Sequence, residues 1–432
     1  MDILGTLNRA RQSPVTLLVV GAVALVAMMA ILIRLGLLRV LVHSPWLWEI
    51  LVGVGVLVVI VIVVWGIPWW RERSFVHRLS SDYKVAGGES PQELQSKFTY
   101  ALRRFRSLPQ QSGKGEPLYS LPWFLMVGAV GAGKTEALKM SDLFSALTPM
   151  QAEGGTQNFD WWVSNTMLVV DTAGRYAVPV DVAQDRAEWY RLLRLIRHYH
   201  GREPLHGMIV TVSVNELASQ PDETLRAQAG LLRERIEEAI QELGVDFPVY
   251  VLVTKCDQLE GFSEFFGVLP QRVANEALGF VDDPPPGIGG GPARGTDAAR
   301  RVQAGIHSIY ERFHVLRLSI LNGNTPEALR QPIFCFPEEF KAIERSLIAF
   351  TGPLMSDDVR YHTPLFRGIF FASARREGAP FSAMRRQVQI IEPPSALEGK
   401  PEQPWFLRDL FETIFPRDRA LSAAAAPKGG IS

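Results

Sequence analysis

The run Gly128-Ala129-Val130-Gly131-Ala132-Gly133-Lys134-Thr135 constrains this chain more than any other segment. It matches G-x-x-x-x-G-K-[ST], with the apolar stretch PWFLMV before it and TEALKM after it. The pattern needs a strand to deliver the loop and a helix to receive it. Its glycines let the backbone curl until successive N–H groups and a helix N-terminus face one point, which suits the phosphates of a nucleotide. On that reading Gly128, Gly131, Ala132 and Gly133 form the cradle, Lys134 reaches the β- and γ-phosphates, and the Thr135 hydroxyl ligates Mg²⁺.

A phosphate loop of this kind belongs to an α/β fold, and the rest of the chain supplies the alternation. Five short apolar runs, Trp123 to Val127, Met167 to Val170, Met208 to Val212, Val249 to Val253 and Ile369 to Ala372, read as strands. Helical patterns occupy about Lys134 to Ala146, Asp181 to Tyr199, Asp222 to Leu243 and Ala298 to Leu321. Strands alternating with helices predict a mainly parallel sheet covered on both faces. The expected organisation is a juxtamembrane helical segment over 71–117 and a nucleotide-binding domain over 118–281. A flexible Pro/Gly loop follows over 282–296, then a helical lobe over 297–366, the last sheet strand over 367–376 and a C-terminal segment over 377–432. The tail after Ser422, AAAAPKGGIS, is expected to be disordered.

Two further elements follow strands, as the phosphate loop does. Asp171-Thr-Ala-Gly174 comes directly after TMLVV, so its carboxylate is placed to hold the Mg²⁺ hydration shell and the Gly174 amide to sense a γ-phosphate. Thr254-Lys255-Cys256-Asp257 follows VYVLV and is similar to the [NT]KxD box in which a carboxylate reads guanine through two hydrogen bonds. Thr254 stands where Asn is commoner and is expected to loosen the link between that box and the phosphate loop. Ser373 and Ala374, after IFFA, fit a segment whose amides back the base. Thr156 is a candidate Mg²⁺ threonine, with a plain loop hydroxyl as the other reading. Arg175 stands where efficient GTPases carry a water-orienting Gln, which predicts slow hydrolysis. Its own role is left between charge stabilisation on phosphate and a surface salt bridge. GTP and ATP both remain open as the ligand.

Ahead of all this lie two uncharged runs, Val15 to Ile33 and Ile50 to Trp70. As a helix the first spans roughly 29 Å, the thickness of a bilayer core. Arg9, Arg11, Arg71, Arg73, Arg78 and Lys84 flank the pair on the outside, against Arg34 and Arg39 between the runs. That bias predicts a transmembrane hairpin with both ends in the cytoplasm. Lys plus Arg equals Asp plus Glu at 45 each, so no broad basic surface for nucleic acid is expected. Cys256 and Cys335 are too few for a disulfide framework or a zinc cluster, and His198 and His200 at i, i+2 point to different helix faces.

The two spans, VGAVGAGKTEAL, GGTQNFDWWVSNTMLVVDTAGRY, REPLHGMIVTVSVNEL, VYVLVTKCDQLEGFSEFFGVLP, RGIFFASARREGAPFS and FLRDLFETIFP together resemble the IcmF-like (TssM) membrane-core subunits of bacterial type VI secretion systems. The resemblance covers nearly the whole chain. It implies a multi-pass inner-membrane protein with a cytoplasmic GTPase-like domain and a helical lobe, binding nucleotide at Gly128 to Thr135 and Asp171 to Gly174. Implied partners are the other membrane-core and baseplate subunits, the lipid bilayer and further copies within the complex. The family also implies a third span and a periplasmic region beyond the part matched here, and no periplasmic role is carried over to these residues. Two other readings stay beside this one: a structural scaffold with a non-essential nucleotide pocket, and a membrane-bound targeting or transport GTPase.

Overall fold

The computed structural model describes residues 91–108, 117–148, 156–282, 298–356, 364–374, 382 and 403–424. The chain divides into two compact units, Met1–Lys84 and Val85–Ser432. Both apolar runs and their flanking cations belong to the first unit and lie outside the described residues, as do 283–296 and 425–432. Among the described residues no helix is long and apolar enough to cross a membrane.

The strands are β1 (Trp123–Gly128), β2 (Ser145–Ala146), β3 (Phe159–Val163), β4 (Leu168–Thr172), β5 (Gly207–Ser213), β6 (Val245–Asp246), β7 (Pro248–Thr254), β8 (Leu278–Val281), β9 (Leu365–Phe371) and β10 (Ala423–Ala424). Eight of them form one sheet in the order β2-β3-β4-β1-β5-β7-β9-β8. The five central strands pair in parallel. β4, β5 and β7 are buried at every position, which explains why they read as continuous apolar runs without alternation. Parallel pairing places the carboxyl ends of β1, β4, β7 and β9 along one edge. The phosphate loop, Asp171, the Thr254 box and Ser373 therefore meet there.

Antiparallel strands β2, β3 and β8 extend the sheet at both sides. The helix expected from Lys134 to Ala146 stops at Met140. Asp142 takes a left-handed conformation at φ 56 and the Ser141 hydroxyl turns back to the Leu138 carbonyl, so the chain leaves the helix and pairs as β2.

The helices of six residues or more are α1 (Pro91–Arg106), α2 (Lys134–Met140), α3 (Val182–Tyr199), α4 (Val214–Ser219), α5 (Asp222–Leu243), α6 (Phe262–Gly267), α7 (Ala298–Asn322), α8 (Glu327–Ala342) and α9 (Glu344–Met355). Their ends follow local chemistry. Asp181 caps α3 by accepting from the amides of Ala183 and Gln184, Ser213 and Glu216 form a reciprocal capping box on α4, and Gly244 closes α5 at φ 73. On one face of the sheet α1 lays Phe98 against Phe159 and Trp161, and Phe98 also stacks on Tyr199 of α3. The lobe of α7, α8 and α9 is joined to α6 and β9 through Phe265, Phe313, Phe336 and Phe340, with Phe340 meeting Phe371.

The opposite face is closed by α2 and the segment 403–424. Ala137 and Leu138 pack there with Leu407, Leu410, Phe411 and Phe415 over Phe124, Met126, Tyr250 and Phe370. Trp405 and Ser373 exchange backbone hydrogen bonds of 2.8 and 3.1 Å, and Asp418 accepts from Arg367 at 2.6 Å and Tyr250 at 2.7 Å. β10 pairs with β6, so Ala423 and Ala424, which the sequence reading placed in the tail, form a short antiparallel strand. Phe415 is fully buried among the rings of Phe124, Tyr250, Phe370 and Phe411. Phe415→Ala should therefore lower unfolding stability by about 3–5 kcal/mol, read as a shift of the denaturant midpoint.

Candidate functional site

β1 delivers Gly128 to the sheet edge, and the loop that follows needs its glycines at particular places. Gly131 and Gly133 sit at φ 80 and 78, a region that side chains strain to enter. A Cβ on Gly128 would fall 2.3 Å from the Thr211 carbonyl oxygen of β5. The loop surrounds a cavity of about 390 Å³ lined by Gly131, Ala132, Gly133, Lys134, Thr135, Thr156, Gly174, Thr254, Lys255 and Ala374 among others. Ten residues read from the sequence as one site thus face one space.

Behind the cavity floor, the Thr135 hydroxyl donates to Asp171 Oδ2 at 2.5 Å and the Thr156 hydroxyl donates to the same oxygen at 3.1 Å. The two hydroxyls lie 3.2 Å apart. Asp171 is fully buried, and its Oδ1 has no hydrogen-bond partner among the described residues. A buried carboxylate oxygen left bare beside two hydroxyls fits a small hard cation, which takes oxygen ligands and retains waters. The donor set therefore suits Mg²⁺. Burial pushes the Asp171 carboxyl up to about 6, against the opposing pull of Lys134.

Lys134 donates to the carbonyls of Gly128 at 2.7 Å and Ala129 at 3.0 Å, which fixes the ammonium against the loop. Burial lowers its pKa, and Asp171 and Glu216 act in the opposite direction. Gly174 presses on the same loop, since a Cβ there would lie 2.3 Å from the Val130 amide nitrogen. Only glycine lets the Asp171 segment and the phosphate loop approach so closely.

At the far end of the cavity, Thr254 reverses the sequence expectation. Its hydroxyl donates to the Ala132 carbonyl at 2.7 Å, so the threonine makes the link to the phosphate loop that it was expected to loosen. Lys255 adopts a left-handed conformation at φ 57, which turns the chain toward Asp257. Asp257 and Ser373 lie just behind the lining, buried, with the Ser373 hydroxyl donating to Asp257 Oδ1 at 2.5 Å. Cys256, the residue before Asp257, is buried, and burial pushes its thiol pKa well up, as for an inert packing cysteine.

Arg175 also lines the cavity, yet its guanidinium is engaged in ion pairs with Asp185 and Glu188, each at 2.5 Å. Of the two roles left open by the sequence, the salt bridge is the one observed. Asn158, Asp185 and Glu188 were not singled out in the sequence. The available signal was the i, i+3 pair of carboxylates near the start of α3, soon after an arginine. Glu136 and Lys139 on α2 line the cavity as well and were likewise missed. His200 is buried between the rings of Tyr119 and Trp123, and burial drops its pKa to about 4, which makes it a neutral packing residue.

The model of the IcmF-related N-terminal domain family matches residues 182–427, a region that begins after the phosphate loop and Asp171. The type VI secretion system component TssM1 of Pseudomonas aeruginosa is 29% identical over 351 residues, covering 78% of this chain and 31% of that protein. The chain thus spans about a third of the length of this curated relative. Among solved structures, the small COPII coat GTPase SAR1 of Encephalitozoon cuniculi in complex with GDP is 15% identical, covers 42% of this chain and 62% of its own, and has a TM-score of 0.20. An S. thermophilus NFeoB variant bound to GDP is 13% identical, covers 55% of this chain and 100% of its own, and has a TM-score of 0.23.

Proposed function

The chain belongs to the IcmF-related family, and on that premise we propose that it is the membrane-anchored, nucleotide-binding part of a type VI secretion membrane complex. In this reading the two apolar runs hold it in the bacterial inner membrane, with the described domain on the cytoplasmic side. Binding of a nucleoside triphosphate with Mg²⁺ sets the contacts it makes with other membrane-core and baseplate subunits and with its own copies.

The observation that carries the nucleotide part is the convergence of Thr135 and Thr156 on a buried Asp171 whose Oδ1 is bare, beneath a left-handed glycine loop. Lys134 and the loop amides would hold the phosphates, and Thr135, Thr156 and Asp171 would hold Mg²⁺, which would neutralise phosphate charge. Asp257, oriented by Ser373, favours guanine over adenine, because a carboxylate accepts from N1–H and the exocyclic amine together and adenine has no such pair. Arg175, committed to carboxylates, supports slow turnover and a switching or assembly role over a metabolic one.

The test is a competition titration of the detergent-solubilised protein with GTP and ATP, with and without Mg²⁺. The expected result is Mg²⁺-dependent binding with GTP the tighter ligand. Absence of binding by either nucleotide overturns the reading and leaves a scaffold that works by helix packing.

A further inference from the structure

Two segments reach the cavity, one carrying Thr156 and the other opening the short helix Gly174–Ala177. Arg175 joins them. Its Nε donates to the Gln157 carbonyl at 3.1 Å, and one terminal nitrogen donates to Asn158 Oδ1 as well as to Glu188 Oε2. The other terminal nitrogen donates to Asp185 Oδ1. A backbone bond of 2.8 Å from the Ala173 amide to the Asn158 carbonyl runs beside these. The guanidinium therefore holds the residues directly after Thr156 while sitting directly after Gly174 itself.

The acceptors are fixed before Arg175 reaches them. Asp185 Oδ2 takes the amides of Val180 and Asp181 at 2.8 and 3.0 Å. Glu188 Oε2 also accepts from the Tyr176 hydroxyl at 3.1 Å, and its Oε1 accepts from Gln184 at 3.2 Å. Side-chain exposure is 4% for Asp185 and 1% for Glu188, so both carboxylates are held on the rigid frame of α3 and out of water. A planar fork with five N–H donors can span these acceptors and the two backbone segments at once, which an ammonium cannot.

We infer that Arg175 is a positioning residue that makes the Thr156 and Gly174 segments move as one body, so that the site discriminates a nucleoside triphosphate from a diphosphate. The inference rests on the nucleotide reading above and concerns which phosphate state the site prefers. A diphosphate is held by the loop and Lys134 alone. A triphosphate adds the γ-phosphate at Gly174 and a metal at Thr156, two contacts on two segments. Where the segments are joined, the first contact orders the second at no further entropic cost. Where they are independent, each is ordered separately, and that cost falls on the triphosphate only.

The experiment measures affinities of the full-length solubilised protein for GDP and for a non-hydrolysable GTP analogue with Mg²⁺, in the wild type, Arg175→Lys and Asn158→Ala. Lysine keeps a positive charge beside the buried carboxylates while losing the fork. Asn158→Ala leaves both ion pairs and the two backbone links through the Gln157 and Asn158 carbonyls in place, and removes the side-chain bond from Arg175 to the Thr156 segment. Both variants are expected to bind the triphosphate analogue about tenfold more weakly, with diphosphate affinity unchanged within about twofold. Parallel loss for both ligands, or no loss for either, overturns the inference. So does a fall in the rate of GTP hydrolysis, measured on the same proteins, with the affinity ratio intact, which would place the guanidinium on the phosphate. If the wild type binds neither nucleotide, the nucleotide reading itself fails, and the wild-type control separates that outcome from the others.

Discussion

Lys134→Ala is expected to weaken Mg²⁺-nucleotide binding on the order of a hundredfold or more, while the folded protein keeps or gains stability. The two halves of this result have one cause. Lys134 is 7% exposed, and burial lowers its pKa because the charged form is costly there. Two loop carbonyls and the nearby Asp171 offset part of that cost. Phosphate oxygens would offset the rest, which is why the residue is worth far more to the liganded state than to the free one. A direct titration of the variant beside a denaturant unfolding curve checks both parts. Unchanged affinity would remove the nucleotide from the proposed function, and a collapse of the unfolding midpoint would mean that the ammonium serves the fold instead.

Much of this site was legible because its chemistry is local. The Gly128 to Thr135 run encodes its own strand, turn and helix start, and the observed φ values of Gly131 and Gly133 are those the motif requires. Asp171, Thr254 and Ser373 could each be read from an apolar run that ends in a polar residue, since parallel strands bring such ends to one edge. β3 was missed because FDWWV is buried at every position, and an all-buried aromatic run has neither a period of two nor a helical one. β8 is four residues long with Gly279 at its second position, too short a run to show a period in sequence. The helix expected to reach Ala146 failed at Asp142, where the left-handed turn depends on pairing between β2 and β3 some distance along the chain. The Phe406 to Phe415 segment entered the sequence reading only through the family resemblance, and what it covers is set by the rings of Phe124, Tyr250 and Phe370, each far away along the chain. Thr254 is the instructive error. A residue-type comparison with the commoner Asn predicted a weaker link, whereas the close approach of the two loops lets a shorter side chain reach the Ala132 carbonyl.

Asp171→Asn should separate what the site contributes to binding from what it costs the fold. The Asp171 carboxyl moves from an ordinary 3.8 up to about 6, with burial as the largest cause. An acid whose pKa is raised by folding favours the folded state most at low pH, where it is protonated. That advantage is lost as pH rises from about 4 to about 6, and above this window the ionised carboxylate costs the ligand-free protein about 3 kcal/mol. Asparagine keeps an oxygen to accept from Thr135 and Thr156 but carries no charge. The variant should therefore be more stable than the wild type by about 1–3 kcal/mol at about pH 8, with a flatter stability profile across the same window. Its triphosphate affinity should lose the dependence on Mg²⁺, because a neutral amide is a poor ligand for a hard cation. In the wild type that dependence should itself fade as pH drops below about 6, where the carboxyl takes up a proton. Thermal unfolding of both proteins at acid and alkaline pH, with and without Mg²⁺ and a non-hydrolysable triphosphate, reads all of these together. A variant less stable than the wild type under alkaline conditions would show that the carboxylate is paid for by Lys134 within the fold, leaving no charge for a cation to neutralise.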